Sequence, residues 1–402
     1  MHTELHPQLC ELPDALQAKD IIKACVHCGF CTATCPTYQH FNDERDGPRG
    51  RIYLVKQLLE TNEVSGKTQL HLDRCLSCRS CETTCPSGVE YGRLIDIGRH
   101  MVEQRVSRSA VQTSTRWLLR KILPYPRRFG PLLRIGQLFR PLLPGALKAK
   151  VPPKQQVSPW PADSHPRQML ALRGCAQSVA TPNTNAAAAN VLSRLGITLL
   201  EEPQAGCCGA VDYHLAAHAD GLDAMRKNID AWWPAIEAGV EAIVILASGC
   251  GLMVQEYGEK LASDTRYAAK AARVSELCCD ISEVLLKEDL SPLKLVNRTE
   301  KTAFHCPCTL QHGLQLSGKV EQLLQQIGVP LTQTKDAHLC CGSAGTYSIL
   351  QAGTSQKLLD NKLDALMVGS PEQIVTANVG CQLHLGSKST VPVKHWIELL
   401  AQ

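Results

Sequence analysis

Residues 25–36 read CVHCGFCTATCP, and residues 75–86 read CLSCRSCETTCP. Both segments place four cysteines at the spacing Cys-x2-Cys-x2-Cys-x3-Cys and follow the last cysteine with a proline. Three thiolates at this spacing lie on one short loop, so the loop wraps three corners of a cube-shaped metal cluster. The fourth corner must be reached from elsewhere in the chain, and the proline helps to end the loop.

This spacing is the bacterial-ferredoxin pattern for [4Fe-4S] clusters, in which the fourth cysteine of each run ligates the other cluster. The pattern predicts two crossed ligand sets: Cys25, Cys28, Cys31 and Cys85 for cluster 1, and Cys75, Cys78, Cys81 and Cys35 for cluster 2. A structural zinc site would normally use two separated Cys-x2-Cys pairs, and disulfides would be crowded in such short runs. Crossed ligation also holds the two clusters close enough for electrons to pass between them.

The segment between the two runs is too long for a minimal ferredoxin. Its apolar residues recur at helical spacing and predict a helix over residues 49–60, and a second helix is expected around residues 94–106. The unit from 1 to 105 is therefore predicted to be mainly helical.

Four arginines lie near the cysteines in this unit: Arg49, Arg51, Arg74 and Arg79. They either stabilise the negative charge of a cluster and raise its reduction potential, or they are ordinary surface charges. His27 lies between two predicted ligands and is expected beside them or facing solvent.

The composition is that of a globular protein. The chain has 402 residues, of which 44% are hydrophobic and 20% charged, so a disordered or fibrous protein is excluded. The formal net charge of +4 gives no strong signature of nucleic-acid binding. The N-terminal residues lack the features of a signal peptide, which predicts a cytoplasmic protein, where clustered cysteines more often bind metal than form disulfides. No uncharged apolar run approaches the ~20 residues of a membrane span.

A basic, proline-rich segment follows the first unit and is predicted to be a linker spanning residues 106–165. Residues 104–162 contain 12 Lys or Arg and no Asp or Glu. Seven prolines between positions 124 and 153 exclude one long helix but leave room for short basic amphipathic pieces such as residues 117–123. The linker is expected to lie on a partner subunit or on an anionic membrane surface, at the cytoplasmic face of the inner membrane.

From residue 166 onward, strand-like and helix-like segments alternate, as in an α/β fold. Strands are predicted at 168–172, 242–246, 302–304 and 373–377, and helices at 185–195, 222–236, 321–327 and 358–367. The predicted fold class is α + α/β: an N-terminal helical two-cluster ferredoxin domain, followed by two repeated α/β cysteine-rich units at 166–295 and 296–402.

Duplicated cysteines define these two units. In each, a single cysteine precedes a Cys-Cys-Gly triplet by 32 positions, and one more cysteine follows it. The offset between the units is 133 residues for the first three cysteines and 131 for the last, which implies an internal repeat. The sets are Cys175, Cys207, Cys208 and Cys250, and Cys308, Cys340, Cys341 and Cys381. One or both sets bind a further iron-sulfur centre or form a redox-active thiol pair, or the cysteines are buried as small hydrophobic side chains.

Other residues have no firm role at this point. Six polar residues lie near these cysteine groups, and each alone is more often structural than part of a site: Asp212, His214, His305, His312, His338 and His384. Cys306 is a spare thiol beside the second set, and three cysteines fit no pattern: Cys10, Cys278 and Cys279.

Motifs for nucleotide cofactors are not visible in the sequence. There is no convincing G-x-G-x-x-G after a strand and no G-x-x-x-x-G-K-S/T. An iron-sulfur cubane moves one electron at a time, whereas oxidation of an organic alcohol removes two and normally calls for a flavin or nicotinamide. The chain is therefore expected to receive electrons from a flavoprotein partner.

Two ferredoxin runs followed by two cysteine-rich repeats resemble the iron-sulfur subunits of glycolate oxidase, lactate utilisation and anaerobic glycerol-3-phosphate dehydrogenase. The repeats also look like the cysteine-rich CCG domains of heterodisulfide reductase. The segments that carry the likeness to the glycolate oxidase (glycolate dehydrogenase) subunits are residues 25–38, 46–53, 205–214, 228–237 and 304–312.

The resemblance implies a complex in which a partner subunit holds FAD and oxidises glycolate to glyoxylate, while this chain passes electrons to a quinone or another acceptor. Lactate or glycerol 3-phosphate as the substrate, and a thiol/disulfide reductase of the heterodisulfide reductase type, are the alternatives. Neither Cys250 nor Cys381 is followed by the second cysteine of a terminal Cys-x2-Cys, so the sequence departs there from the heterodisulfide reductase pattern.

Overall fold

The first part of the chain is helical. The computed structural model describes residues 1–293 and 299–401. The N-terminal helices are α1 (Pro13–Lys23), α2 (Phe30–Ala33), α3 (Pro36–Phe41), α4 (Pro48–Thr61), α5 (Gly66–Asp73), α6 (Ser80–Thr83) and α7 (Tyr91–Glu103). Both helices predicted here are confirmed, as α4 and α7.

The sequence explains where these helices begin and end. Proline starts α1, α3 and α4, because its fixed φ suits the first helical position and its missing N–H is not needed there. Asn42 and Asn62 adopt the left-handed conformation and end α3 and α4. The apolar faces of α1, α4, α5 and α7 then pack into one core.

The basic segment after α7 is more helical than the sequence suggested. It forms α8 (Ala110–Ile122), α9 (Pro126–Phe139) and α10 (Gly145–Lys150), with a 3-10 turn at Arg140–Leu142. The prolines do separate the helices, but the expectation of short pieces is wrong, since α8 has 13 residues and α9 has 14. Pro131 lies inside α9, close to its N-terminal end, where the lost N–H removes a single helical hydrogen bond.

The first cysteine-rich repeat is built on a parallel sheet. Its elements are β1 (Arg167–Ala171), α11 (Gln177–Ala180), α12 (Asn183–Arg194), β2 (Ile197–Glu201), α13 (Ala210–His214), α14 (His218–Glu237), β3 (Ile243–Ile245), α15 (Ser248–Gln255), α16 (Tyr257–Lys260), α17 (Ala268–Leu277), β4 (Cys278–Asp280) and α18 (Ile281–Leu285). The strand order is β2-β1-β3-β4, and every pairing is parallel.

The second repeat copies this plan with a smaller sheet. It contains β5 (Thr302–His305), a π-helical turn (Thr309–Gly313), α19 (Lys319–Gln326), α20 (Tyr347–Leu350), α21 (Ala352–Met367), β6 (Gln373–Thr376), α22 (Val379–Gly386) and β7 (Val393–His395). Its strand order is β5-β6-β7, again parallel, and a single parallel bridge from Thr302 to Leu331 occupies the place that β2 has in the first repeat.

The predicted α + α/β fold is confirmed, and all four predicted strands and all four predicted helices of the repeats are present. The sequence did not predict β2, β4 or β7. The division expected between residues 295 and 296 lies outside the described residues.

The two repeats pack directly against each other. One apolar core contains Val244 and Leu246 from the first sheet together with Val375 and Trp396 from the second repeat. His395 Nε2 donates a hydrogen bond to the carbonyl of Leu246 at 2.8 Å, and Ser248 N donates to the carbonyl of Ala377 at 3.1 Å. The repeats are thus held together by apolar packing and by hydrogen bonds to backbone carbonyls.

The end of the chain closes this interface. Trp396 begins the 3-10 turn Trp396–Leu399, which packs on α12 of the first repeat. The Trp396 side chain is fully buried. Asn183 Nδ2 donates a hydrogen bond to Glu398 Oε2 at 2.9 Å beside it. Among the residues that the structure describes, no helix has the length and apolar character needed to cross a bilayer.

Replacing Trp396 with Ala is expected to lower the free energy of unfolding by about 3–5 kcal/mol, since it leaves a large cavity between the repeats. Trp160 is 41% exposed, so Trp160→Ala is the matched control and should cost about 1 kcal/mol or less. Denaturant unfolding of the anaerobically purified protein, followed by circular dichroism, measures both. Equal losses for the two variants would contradict the role given to Trp396.

Candidate functional site

The two cysteine runs form two adjacent cavities in the helical unit. One is lined by the first three cysteines of the first run together with Cys85. The other is lined by the first three cysteines of the second run together with Cys35. Cys81 borders both cavities. The structure therefore brings together the cysteines that the crossed ferredoxin pattern grouped, and ligation by them stays a prediction.

The loops that carry the cysteines have matching shapes. Between the ligand positions, His27 and Gly29 of the first run and Ser77 and Arg79 of the second run all have positive φ. These left-handed residues wind each loop tightly enough to point successive thiols into one cavity. His27 is exposed, in line with the solvent-facing alternative.

The two cavities differ in depth. Cys28 is exposed, and Cys31 and Cys85 are partly buried. By contrast, Cys35 and the first three cysteines of the second run are all buried. The first cavity therefore faces the surface, and the second faces the interior of the molecule.

The chemistry of the thiols fits a cationic metal cluster. Burial, followed by repulsion from the Cys25 thiolate, raises the pKa of Cys31 to about 11. Burial also raises the pKa of Cys78 and of Cys81 well above the ordinary value. Several thiolates can share so small and dry a space only when iron ions balance their charge, and their binding releases protons.

A buried ion-pair network stands behind the second cavity. Asp46 is fully buried and accepts hydrogen bonds from His71 Nδ1 at 3.0 Å and Arg74 Nη1 at 2.8 Å. It also forms an ion pair with Arg51 Nη2 at 3.5 Å. Arg51 lines the cavity and also donates from Nη1 to Thr37 Oγ1 at 3.1 Å. Thr37 Oγ1 lies 3.3 Å from Cys35 Sγ, so the network reaches a predicted ligand directly.

The four arginines near the cysteines have separate roles. Arg49 lines the first cavity and Arg79 the second, whereas Arg74 pairs with Asp46. Arg79 also forms an ion pair with Glu256 of the first repeat. None of these three arginines is therefore only a surface charge.

The second cavity abuts the cysteine set of the second repeat. Cys78 packs in one apolar cluster with Cys340, Leu76, Tyr347 and Leu358, and Cys308 packs against that cluster. Two hydrogen bonds fix the contact: Tyr347 Oη donates to the carbonyl of Arg74 at 3.0 Å, and Thr83 Oγ1 lies 2.9 Å from His312 Nδ1. Thiols of the ferredoxin unit and of the second repeat thus meet across a dry interface.

Within each repeat the four paired cysteines come together. Cys175 Sγ lies 3.5 Å from Cys207 Sγ, and Cys308 Sγ lies 3.8 Å from Cys340 Sγ. In the first set, the Cys208 thiol lies next to the thiols of Cys207 and Cys250. In the second set, the Cys341 thiol lies next to those of Cys340 and Cys381. The single cysteines follow β1 and β5, and the last ones lie in the first turns of α15 and α22 after β3 and β6. All of them therefore lie at the carboxyl ends of the strands, where parallel sheets usually bind ligands.

The backbone conformation at the third position of each Cys-Cys-Gly triplet requires glycine. Gly209 and Gly342 have φ of +91° and +87°, and a Cβ at either position would lie 2.7 Å from a carbonyl oxygen of the facing helix. Only glycine fits such a position. The same close approach in both repeats sets the direction of the two preceding cysteines.

The two sets differ in their electrostatics. In the first set, hydrogen bonds from Cys175 and Cys208, and then from the N–H groups of Gly209 and Val211, lower the pKa of Cys207. In the second set, the pKa values of Cys308, Cys340 and Cys341 are all raised. The pKa values of Cys175 and Cys208 are raised as well, so the two sets differ in this respect only at Cys207.

Most of the remaining polar candidates have structural partners. Asp212 pairs with Arg120, His214 with Asp96, His312 with Thr83, and His384 with Ser355. Cys306 lies in the apolar core between the repeats, Cys278 and Cys279 belong to β4, and Cys10 is exposed.

His305 differs from these residues. One of its ring nitrogens and the Sγ atoms of Cys341 and Cys381 all lie within 4.8 Å of one another. The sequence carried a signal for it, because the offset of 133 aligns His305 with Leu172, so the two repeats differ at this position.

Comparisons with known proteins agree with this geometry. The model of the 4Fe-4S dicluster domain matches residues 21–89, and the model of the cysteine-rich (CCG) domain matches residues 169–255 and 302–386. The glycolate oxidase iron-sulfur subunit of Escherichia coli K12 is 55% identical over 403 residues, covering 100% of this chain and 99% of the relative. The chain belongs to the glycolate oxidase iron-sulfur subunit family.

Two further relatives are less similar to this chain. A probable glycolate oxidase iron-sulfur subunit of Bacillus subtilis is 29% identical and covers 94% of this chain and 93% of its own length. Lactate utilization protein A of Bacillus velezensis is 26% identical over 56% of this chain and 95% of its own length. Members of the glycolate oxidase iron-sulfur subunit family therefore match this chain from end to end, whereas the lactate utilization protein matches about half of it.

Asp46→Asn is expected to lower the free energy of unfolding by about 3–5 kcal/mol, because it leaves the buried Arg51 guanidinium without its counter-charge. Asp43 pairs with Arg45 on the surface, so the same change there should cost about 1 kcal/mol or less. Denaturant midpoints of the anaerobic proteins, read together with cluster absorbance, compare the two variants. If Asp46→Asn unfolds at the wild-type midpoint, the network does not stabilise the site.

Proposed function

We propose that this chain is the iron-sulfur electron-transfer subunit of a glycolate dehydrogenase (glycolate oxidase) complex. A partner subunit holding FAD would oxidise glycolate to glyoxylate, and this chain would carry the electrons toward a quinone or another acceptor. The observation that carries the proposal is the succession of thiol groups: the two cavities share Cys81, and Cys78 of the second cavity packs with Cys340 of the second repeat. The substrate is inferred from the E. coli relative, which matches over the full length.

The residues that would hold the clusters are the eight ferredoxin cysteines. Cys25, Cys28, Cys31 and Cys85 would bind cluster 1, and Cys75, Cys78, Cys81 and Cys35 would bind cluster 2. A bound [4Fe-4S] cluster accepts and donates one electron. The four-cysteine set of each repeat would hold a further iron-sulfur centre, and the domain limits 1–105, 106–165, 166–295 and 296–402 belong to the same proposal.

Two other functions fit parts of the molecule. A lactate or glycerol 3-phosphate dehydrogenase complex would use this chain in the same way, and the lactate utilization relatives support that alternative at lower identity and coverage. A thiol/disulfide reductase would use the close pair Cys175 and Cys207. Activity assays of the purified complex with glycolate, lactate and glycerol 3-phosphate show which of the three it oxidises.

Cys78→Ser should cut glycolate-dependent reduction of a quinone by about tenfold or more, because it removes a predicted ligand at the contact with the second repeat. Reduction of a dye that takes electrons directly from the flavin should continue. Cys10→Ser, at an exposed cysteine outside the thiol sets, is the control and should keep full activity and iron. Unchanged quinone reduction and iron content in Cys78→Ser would overturn the proposal.

We further propose that α8, α9 and α10 rest on an anionic membrane at the cytoplasmic face of the inner membrane. Large apolar side chains are exposed along this segment: Trp117, Leu118, Leu132, Ile135, Leu138, Phe139 and Leu142. Arg127, Arg134 and Lys148 are exposed on the same segment, which has no acidic residue. Apolar and basic groups together match the interface of an anionic bilayer.

Not every basic residue of this segment is free to bind lipid. Arg116 pairs with Asp73, and Arg120 pairs with Asp212 and Asp220, so these arginines fasten α8 to the first unit and to the first repeat. The test therefore uses a triple variant with Gln at positions 127, 134 and 148. Its control carries Gln in place of three exposed basic residues elsewhere: Arg266, Arg273 and Lys319.

The triple variant of the complex should bind vesicles of phosphatidylglycerol and phosphatidylcholine about 100-fold more weakly, at about 1 kcal/mol per charge. The control and the wild type should bind alike, and pure phosphatidylcholine vesicles should bind little. Co-sedimentation measures all three. Loss of the partner subunits from the triple variant would instead assign this face to a subunit interface.

A further inference from the structure

His305 is a buried histidine at the edge of the second thiol set. It is the last residue of β5, it is 2% exposed, and its Nε2 has no hydrogen-bond partner in the structure. A buried polar atom without a partner costs roughly 1–3 kcal/mol, so such atoms are rare in folded proteins. Fourteen other buried side-chain atoms of the described residues also lack a partner, so a role beyond packing needs a second observation.

The surroundings of His305 supply one. A ring nitrogen of His305 and the Sγ atoms of Cys341 and Cys381 lie within 4.8 Å of one another, and all three residues are buried. Imidazole nitrogen and thiolate sulfur are the donors that iron and zinc prefer in proteins. A metal bound between these atoms would have one ring nitrogen of His305 and two thiolates as ligands.

The first repeat cannot offer the same donors. Leu172 occupies the position equivalent to His305 and is buried in the apolar core of that repeat. The four cysteines of the two sets otherwise correspond one to one. The difference is therefore confined to one added nitrogen donor in the second set.

We propose that the second thiol set holds an iron-sulfur centre to which His305 is a ligand beside Cys341 and Cys381, whereas the first set binds through thiolates alone. This inference rests on the proposed further iron-sulfur centres. A neutral imidazole adds no negative charge, so a centre that it ligates has a higher reduction potential than an all-thiolate one. The centre with the higher reduction potential would then be the one in the second set, which contacts Cys78.

The test uses the anaerobically purified complex and pulsed EPR, which detects the magnetic coupling of a nitrogen bound to a paramagnetic iron centre. The wild type should contain iron beyond two [4Fe-4S] clusters and show a strongly coupled nitrogen that responds to ¹⁵N-histidine labelling. His305→Leu, which copies the first repeat, and His305→Cys should both lose this coupling. In His305→Cys the centre should also have a lower reduction potential.

The matched control is His384→Asn, at another buried histidine of the same repeat, which bonds to Ser355. This variant should keep the coupling. Extra iron without histidine coupling in the wild type, or coupling that survives in His305→Cys, would overturn the role of His305 alone. Iron for only two clusters would overturn the extra centre as well, while retained glycolate-dependent quinone reduction would leave the electron-transfer function standing.

Discussion

The dry contact between Cys78 and Cys340 is the constraint on which the rest of the structure depends. Electron transfer falls off steeply with distance, so the redox centres proposed for the two units would have to be held close together. Tyr347 and Thr83 fasten this contact by hydrogen bonds, and Arg79 fastens the same unit to the first repeat through Glu256. Both repeats therefore contact the ferredoxin unit, and these two contacts fix the position of the second cavity.

Buried thiols shape the charge balance of the whole chain. A [4Fe-4S]²⁺ core with four thiolates carries a charge of about −2, so two of them offset the formal net charge of +4. Arg51 and Arg79 line the second cavity, where positive side chains stabilise the reduced state. Asp46 in turn keeps the buried Arg51 paired. The 12 basic residues of 104–162 exceed the whole net charge of +4, so the positive charge beside the second cavity comes from these individual arginines and not from the net excess.

Cysteine spacing was enough to predict the grouping of the thiols, because a loop that wraps a cubane leaves little freedom in sequence. Periodicity was enough for the long helices and the buried strands. Periodicity was not enough for β4, whose three residues, Cys-Cys-Asp, are too few to show an alternating pattern, or for the full length of α9, which continues through Pro131. The sequence alone favours a structural role for His305, since its nearness to Cys341 and Cys381 arises only in the folded chain.

The basic residues of the segment 104–162 fall into two groups, one that forms ion pairs with other units and one that does not. Arg108 and Arg116 pair with Asp73 of the first unit, and Arg120 pairs with Asp212 of the first repeat. These three arginines therefore tie the units together, and their charges are already balanced. The residues beyond α8 have no acidic neighbours within the segment, and apolar side chains such as Leu138 and Leu142 are 74% and 81% exposed beside them. A soluble surface gains nothing from so much exposed apolar area, which argues that this part of the chain is covered in the working complex.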